Sequence, residues 1–230
     1  MAADWHLHLD KTLDKQTAPR TGRMPVKSMV DALLAGDHDA ALEIALEARG
    51  RSGSRVAVFV DLLQPAQYEI GELWYRGEIK VEDEHRATAV AQRVTEALPP
   101  TPSATPVPPT ARCLMAAMGE EQHVLGLRQL QLAFHDDGWP VVLMGPRVEA
   151  AALADEVRGT DPSLVCISAG YLPSATPVRK AVDAIRELRI PVLVGGSAFN
   201  RSPQLWRQVG ADHHGADARV ALVLARRLLR

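Results

Sequence analysis

Apolar residues in the first half of the chain recur every three or four positions, which is the spacing of amphipathic helices. Gly36 ends the first repeat, and a second is expected to end at Gly50, because glycine favours helix termini. Ser54 caps a third repeat, which Pro65 kinks or restarts. With one more repeat after these, the pattern predicts a bundle of four helices over residues 26–98.

In the second half, the pattern changes to short apolar runs that are each followed by a helical pattern. The runs lie at 113–118, 140–144, 164–168 and 191–195, with a fifth and weaker one near His213-His214. Strands that alternate with helices imply a parallel sheet covered by helices on both faces. The fold expected for this half is therefore a flavodoxin-like (Rossmann-like) five-stranded parallel sheet.

A proline-rich stretch separates the two patterns. Proline with small polar residues favours an extended, semi-rigid spacer. The sequence thus predicts an α/β plus all-α protein with a flexible arm, a helical cap bundle, a linker and a sheet domain. The boundaries of these four parts are 1–25, 26–98, 99–111 and 112–230.

Composition and charge exclude several classes of protein. The formal net charge is −2 and no basic run occurs, so no direct contact with nucleic acid is expected. No stretch approaches the roughly 20 apolar residues of a membrane span, and the N-terminus lacks the pattern of a signal peptide. Cys113 and Cys166 lie inside predicted strands, which suits buried, reduced thiols. These features predict a cytoplasmic protein that does not bind membranes.

Several residues suited to ligand binding follow the predicted strands. His123 comes after the first strand, Ser168-Ala169-Gly170 after the third and Gly195-Gly196 at the end of the fourth. Open parallel sheets bind ligands at this carboxyl edge. An imidazole there is available as a metal ligand or a proton carrier, and Glu121 can hold its other ring nitrogen. The edge therefore suits a ligand that needs a histidine and a glycine-lined slot.

These motifs resemble the signature of cobalamin-binding domains. Glu-x-His-x-x-Gly at 121–126, Ser-x-Gly at 168–170 and Gly-Gly at 195–196 are similar to the family's Asp-x-His-x-x-Gly, Ser-x-Leu and Gly-Gly. The 27 positions from the serine to the first glycine also match the family. The helical half resembles the bundle that caps cobalamin in methionine synthase and in adenosylcobalamin photoreceptors of the CarH/LitR type. The resemblance covers roughly residues 26–230.

The resemblance implies base-off binding of cobalamin, with His123 as the lower axial ligand of cobalt. The nucleotide tail of the cofactor would enter the sheet between the serine and the two glycines, and Glu121 would accept a hydrogen bond from His123. The family has aspartate in place of Glu121, so the carboxylate of this chain is carried on a side chain that is longer by one methylene group. The cofactor-binding residues implied in the sheet domain are Glu121, His123, Gly126, Ser168, Gly170, Gly195 and Gly196.

In the cap, Trp74 and Glu84-His85 resemble the photoreceptor pattern Trp-x9-Glu-His. An indole beside a carboxylate and an imidazole suits an adenosyl group, which needs a stacking surface and hydrogen bonds to its ribose. The alternative is that Trp74 fills the bundle core and that Glu84-His85 is a solvated helix start. The photoreceptors have a histidine directly after the tryptophan, where this chain has Tyr75, so its light product is expected to be less stable or ligated differently.

The resemblance implies an adenosylcobalamin-binding light sensor without intrinsic catalysis. Residues 1–25 are too short for the DNA-binding domain of the photoreceptors, so output to transcription regulation is expected through a protein partner. A homo-oligomer that depends on light or cofactor is also expected. The alternatives are a corrinoid carrier that shuttles a methyl group between methyltransferases with methylcobalamin, a mutase subunit and a cofactor-free structural protein.

Overall fold

The computed structural model describes residues 24–104, 107–108, 110–118, 124–172, 174–202 and 204–229. Within these ranges the chain forms a helical N-terminal half and an α/β C-terminal half, as the sequence predicts. The N-terminal arm expected over residues 1–25 lies almost wholly outside the described residues. None of the helices in the described ranges combines the length and the apolar character needed to cross a membrane.

Short turns connect the helices of the N-terminal half, which we call the cap. These helices are α1 (Val26–Ala35), α2 (His38–Ser52), α3 (Arg55–Val58), a π-helix (Phe59–Leu63), α4 (Gln64–Tyr75) and α5 (Val81–Ala97). The change from π-helix to α-helix falls directly before Pro65, which lacks the N–H needed to continue an α-helical ladder.

The sequence-based end of α2 at Gly50 is wrong. The helix continues to Ser52 and ends at Gly53, which adopts the left-handed conformation with φ 68°. The side chain of Ser54 accepts a hydrogen bond from the backbone N–H of Ala57 and so caps α3. Because Ser54 has an extended backbone, the chain reversal between the two helices falls on the glycine just before it.

The C-terminal half is a five-stranded parallel sheet of order β2-β1-β3-β4-β5, which is the flavodoxin-like order. The strands are β1 (Cys113–Ala117), β2 (Val141–Gly145), β3 (Leu164–Ser168), β4 (Val192–Gly195) and β5 (His213–Gly215). The helices are α6 (Leu125–Asp136), α7 (Ala150–Thr160), α8 (Thr176–Arg186), α9 (Ser197–Arg201), α10 (Leu205–Gln208) and α11 (Ala218–Leu228). The weak fifth strand near His213-His214 is confirmed.

The two faces of the sheet belong to two separate apolar clusters, because side chains alternate along each strand. Leu114 and Val165 face the cluster that includes α7 and α8, whereas Cys113 and Cys166 face the cluster that includes α6 and α11. Both cysteines are free and buried, with 3.6 Å between their sulfur atoms. Burial raises the pKa of the Cys113 thiol well above its ordinary value, so this thiol stays protonated. The prediction of buried, reduced cysteines is confirmed.

The cap is joined to the sheet domain by ion pairs of very different burial. Arg55 of α3 forms a bidentate pair with Asp136 at the end of α6, and these two side chains are only 6% and 5% exposed. Arg128 of α6 forms a second bidentate pair with Glu96 of α5, and both side chains are about one-third exposed or more. The linker also contacts the buried Arg55–Asp136 pair, because the N–H of Thr101 donates to the Asp136 carboxylate over 2.9 Å.

Candidate functional site

The Ser168 and Gly195 positions predicted to bind a ligand lie side by side at the carboxyl edge of the sheet. Ser168 pairs with Gly195, and Gly195 pairs with Gly215 of the last strand. Beyond the strand ends, the N–H of Ala169 donates to the carbonyl of Gly195 over 3.0 Å. The hydroxyl of Ser197 donates to the carbonyl of Gly170 over 2.8 Å, which ties the loop after β3 to the start of α9. The structure therefore brings Ser168, Gly170, Gly195 and Gly196 together.

Neither of the two adjacent glycines has room for a side chain. A Cβ at Gly195 would lie 2.9 Å from the carbonyl oxygen of Gly215. A Cβ at Gly196 would lie 2.5 Å from the carbonyl oxygen of Ala169, and the φ of this residue is +96°. Gly195 is therefore required for close approach, and Gly196 for both close approach and backbone conformation. The rim formed by the loops after β3 and β4, which we call the slot, is consequently lined by closely packed backbone.

Farther along the same edge, two glycines border open space. A Cβ added at Gly126, in the first turn of α6, or at Gly145, at the end of β2, would meet nothing within 4 Å. The neighbouring atoms therefore leave room for a side chain at both positions. The residues expected to approach the cofactor from below, Glu121 and His123, lie outside the described residues.

The cap residues predicted to face a ligand lie at the turn between α4 and α5. Trp74 is 50% exposed, which contradicts the alternative that it fills the bundle core. Glu84, in the first turn of α5, has a side chain only 16% exposed, and one carboxylate oxygen lies 3.7 Å from Nε2 of His85. Tyr75, at the position where the photoreceptors have a histidine, is 84% exposed. The structure thus presents an accessible indole and a sheltered carboxylate at the same end of the cap.

One polar network connects the cap to the rim of the sheet. The amide nitrogen of Asn200 in α9 donates to the Tyr68 hydroxyl over 3.3 Å and to the carbonyl of Ala216 over 2.9 Å. Because that nitrogen is the donor, the Asn200 oxygen accepts from Nε2 of His214, 2.9 Å away. Burial lowers the pKa of His214, which favours its neutral form. The sequence offers no signal that brings Tyr68, Asn200 and His214 together, because they come from three separate elements.

The comparisons with known proteins agree with this arrangement. A sequence model described as a B12 binding domain matches residues 26–98, and a second model of that description matches residues 111–223. The HTH-type transcriptional repressor CarH of Myxococcus xanthus is 31% identical over 143 residues, which cover 61% of this chain and 47% of CarH. The chain therefore spans about half the length of this curated relative.

A solved structure shows the same fold at low sequence identity. The monomethylamine corrinoid protein of Methanosarcina barkeri aligns with a TM-score of 0.67 over 86% of this chain and 96% of its own chain. The two sequences are 16% identical, so the likeness supports the architecture of a helical half followed by a parallel sheet.

Proposed function

Since this chain belongs to the B12-binding family and its cofactor is cobalamin, we propose that it is a sensor that binds adenosylcobalamin and responds to light. The observation that carries this proposal is the half-exposed indole of Trp74 at the same end of the cap as the sheltered carboxylate of Glu84. The 31% identity over 143 residues to a transcriptional repressor supports a regulatory role over a metabolic one.

Each residue of the proposed site has a separate role. His123 would bind cobalt, Glu121 would orient His123, and the slot at Gly195-Gly196 would hold the nucleotide tail. Trp74 stacks on the adenine, while Glu84 accepts hydrogen bonds from the ribose hydroxyls. Bound adenosylcobalamin supplies a cobalt–carbon bond that visible light cleaves.

In this proposal the cap reports the state of the cofactor. Trp74 and Glu84 would hold the upper group of bound adenosylcobalamin, whereas the residues of the sheet domain would hold the rest of the cofactor. Loss of the contacts to Trp74 and Glu84 would then weaken the packing of the cap against α6, α9 and α11, which we call the cap interface. Contacts such as Tyr68–Asn200 join the two domains there. A shifted cap changes the surface offered to a protein partner or to a second copy of the chain.

A corrinoid carrier of a methyltransferase system is the second candidate. It is favoured by the shared fold with the monomethylamine corrinoid protein, which has the same order of helical half and sheet. A carrier presents a small methyl group and gains nothing from an indole and a carboxylate placed for adenosine. The two candidates therefore differ in which cofactor the cap prefers.

We expect Trp74→Ala to lower the affinity for adenosylcobalamin by roughly tenfold, because aromatic stacking on a base contributes about 1–3 kcal/mol. The affinity for methylcobalamin should stay within about twofold, since a methyl group offers no ring to stack on. Calorimetric titration in the dark measures both affinities. Trp206→Ala, which removes a tryptophan of the sheet domain, is the control and should change neither. Equal losses for both cofactors with Trp74→Ala would favour the carrier.

A further inference from the structure

Behind Glu84 lies a pair of polar side chains that the family resemblance does not assign. The Thr88 hydroxyl, one turn further along α5, lies 2.9 Å from Oε1 of Glu84. The same hydroxyl oxygen lies 3.4 Å from Oε1 of Gln67, which projects from α4. These three side chains thus form a line that runs from the interior of the cap to the proposed adenosyl site.

The numbers of donors and acceptors on these groups decide which of them the Thr88 hydroxyl donates to. Thr88 has one hydroxyl proton, so it can donate to Glu84 or to Gln67 but not to both. The carboxylate is the stronger acceptor, because a hydrogen bond to a charged group is the more favourable one. Meanwhile Nε2 of Gln67 is buried and has no hydrogen-bond partner among the described residues, which is costly for an amide donor.

A half-turn of the Gln67 amide resolves both difficulties. It exchanges the oxygen and the nitrogen, so that Nε2 donates to the Thr88 oxygen while the Thr88 hydroxyl donates to Glu84. The amide oxygen then takes the buried position, where an unpaired acceptor is tolerated better than an unpaired donor. In this orientation every donor along the line points toward Glu84.

We propose that Gln67 and Thr88 are positioning residues that hold Glu84 for the adenosyl ribose and thereby set the preference for adenosylcobalamin over methylcobalamin. The inference rests on the proposed function of the cap. Thr88 occupies Oε1 of Glu84 and leaves Oε2, the oxygen on the side of His85, to accept a hydroxyl of the ligand. A carboxylate fixed in this way loses little conformational freedom when the ligand binds.

The test is the ratio of the two dissociation constants, for adenosylcobalamin and methylcobalamin, measured by calorimetric titration in the dark. Thr88→Val keeps the shape of the side chain but removes the hydroxyl. It should weaken adenosylcobalamin binding roughly three- to tenfold, the range for one hydrogen bond, and leave methylcobalamin binding unchanged. Thr88→Ser retains the hydroxyl and should restore the ratio. Thr95→Val, which removes a buried hydroxyl lower on α5 that bonds to Gln129, is the control and should preserve the ratio.

A double-mutant cycle separates positioning from a direct or merely structural role. If Thr88 acts through Glu84, Thr88→Val should add nothing to the loss that Glu84→Gln causes by itself. Additive losses, or an unchanged ratio in Thr88→Val while Glu84→Gln lowers it, would overturn the role of Thr88 and leave the proposed function standing. A wild-type chain that binds both cofactors equally would instead refute the proposed adenosyl site.

Discussion

We expect Arg55→Met to lower the free energy of unfolding by about 3–5 kcal/mol, because it leaves the buried Asp136 carboxylate without its cationic partner. The guanidinium donates to both oxygens of Asp136 and also to the carbonyls of Leu98 and Leu132. These acceptors belong to the cap and to α6. The substitution should therefore weaken the packing of the cap against the sheet domain as well as destabilise the chain.

Arg128→Met is the matched control, since it removes the same kind of side chain from the same interface. Its pair with Glu96 is much more exposed, with side-chain values of 34% and 42%. A solvent-exposed pair of this kind contributes only about 0–1 kcal/mol. Urea unfolding followed by circular dichroism measures both variants. Similar losses in the two would contradict a special role for the buried pair.

The second large effect is expected for Gly196→Ala, which should lower the free energy of unfolding by about 2–4 kcal/mol. The new methyl group would lie 2.5 Å from the carbonyl oxygen of Ala169, and the backbone φ of +96° disfavours any side chain. Relief of this overlap separates the two loops that form the slot. Cobalamin binding should therefore be lost even where the variant remains folded.

Gly145→Ala tests whether backbone strain alone explains the loss. Gly145 has nearly the same φ, +91°, and ends β2 at the same edge of the sheet, but its Cβ would meet nothing within 4 Å. We expect a cost of about 1–2 kcal/mol from the backbone conformation, with cobalamin binding retained. Unfolding curves and cofactor titrations of both variants provide the comparison. Retained binding in Gly196→Ala would show that the slot does not hold the tail.

Local patterns predicted most of the fold, because the spacing of apolar residues within a short stretch of sequence indicates each helix or strand. The switch from three- and four-residue spacing to short apolar runs separates the cap from the sheet, and the structure follows it. Gly195-Gly196 was selected because two residues without side chains let a ligand approach the backbone, and in the structure the atoms nearest to their Cβ positions are the carbonyl oxygens of Gly215 and Ala169. The end of α2 was missed because two glycines, Gly50 and Gly53, were both able to terminate it.

The interface between the cap and the sheet domain was not predicted, because the residues that pair across it are far apart in sequence. Arg55 and Asp136 are separated by 81 positions, and no local pattern joins them. One signal was present: Asp136 and Asp137 stand at the C-terminal end of a helix, where the macrodipole disfavours negative charge. Two carboxylates at this end of a helix are stabilised by cations from other parts of the chain. In the structure Arg55 pairs with Asp136 and Arg226 pairs with Asp137.

The polar line behind Glu84 was equally hidden from the sequence. Thr88 follows Glu84 by one helical turn, so their contact was accessible to pattern reasoning. Gln67 comes from a different helix, and only the packing of α4 on α5 brings it within reach. The sequence therefore indicates which residues can meet the ligand, while the structure identifies those that hold them in place.

The most direct test of adenosylcobalamin-dependent light sensing is an absorption spectrum of the reconstituted protein, recorded in the dark and again after green light. We expect a base-off, histidine-ligated spectrum that changes irreversibly on illumination. In His123→Ala the histidine-ligated character should be absent from the dark spectrum. Tight adenosylcobalamin binding with a spectrum that light leaves unchanged would contradict the sensor, and a chain that binds neither adenosylcobalamin nor methylcobalamin would contradict the cofactor site itself.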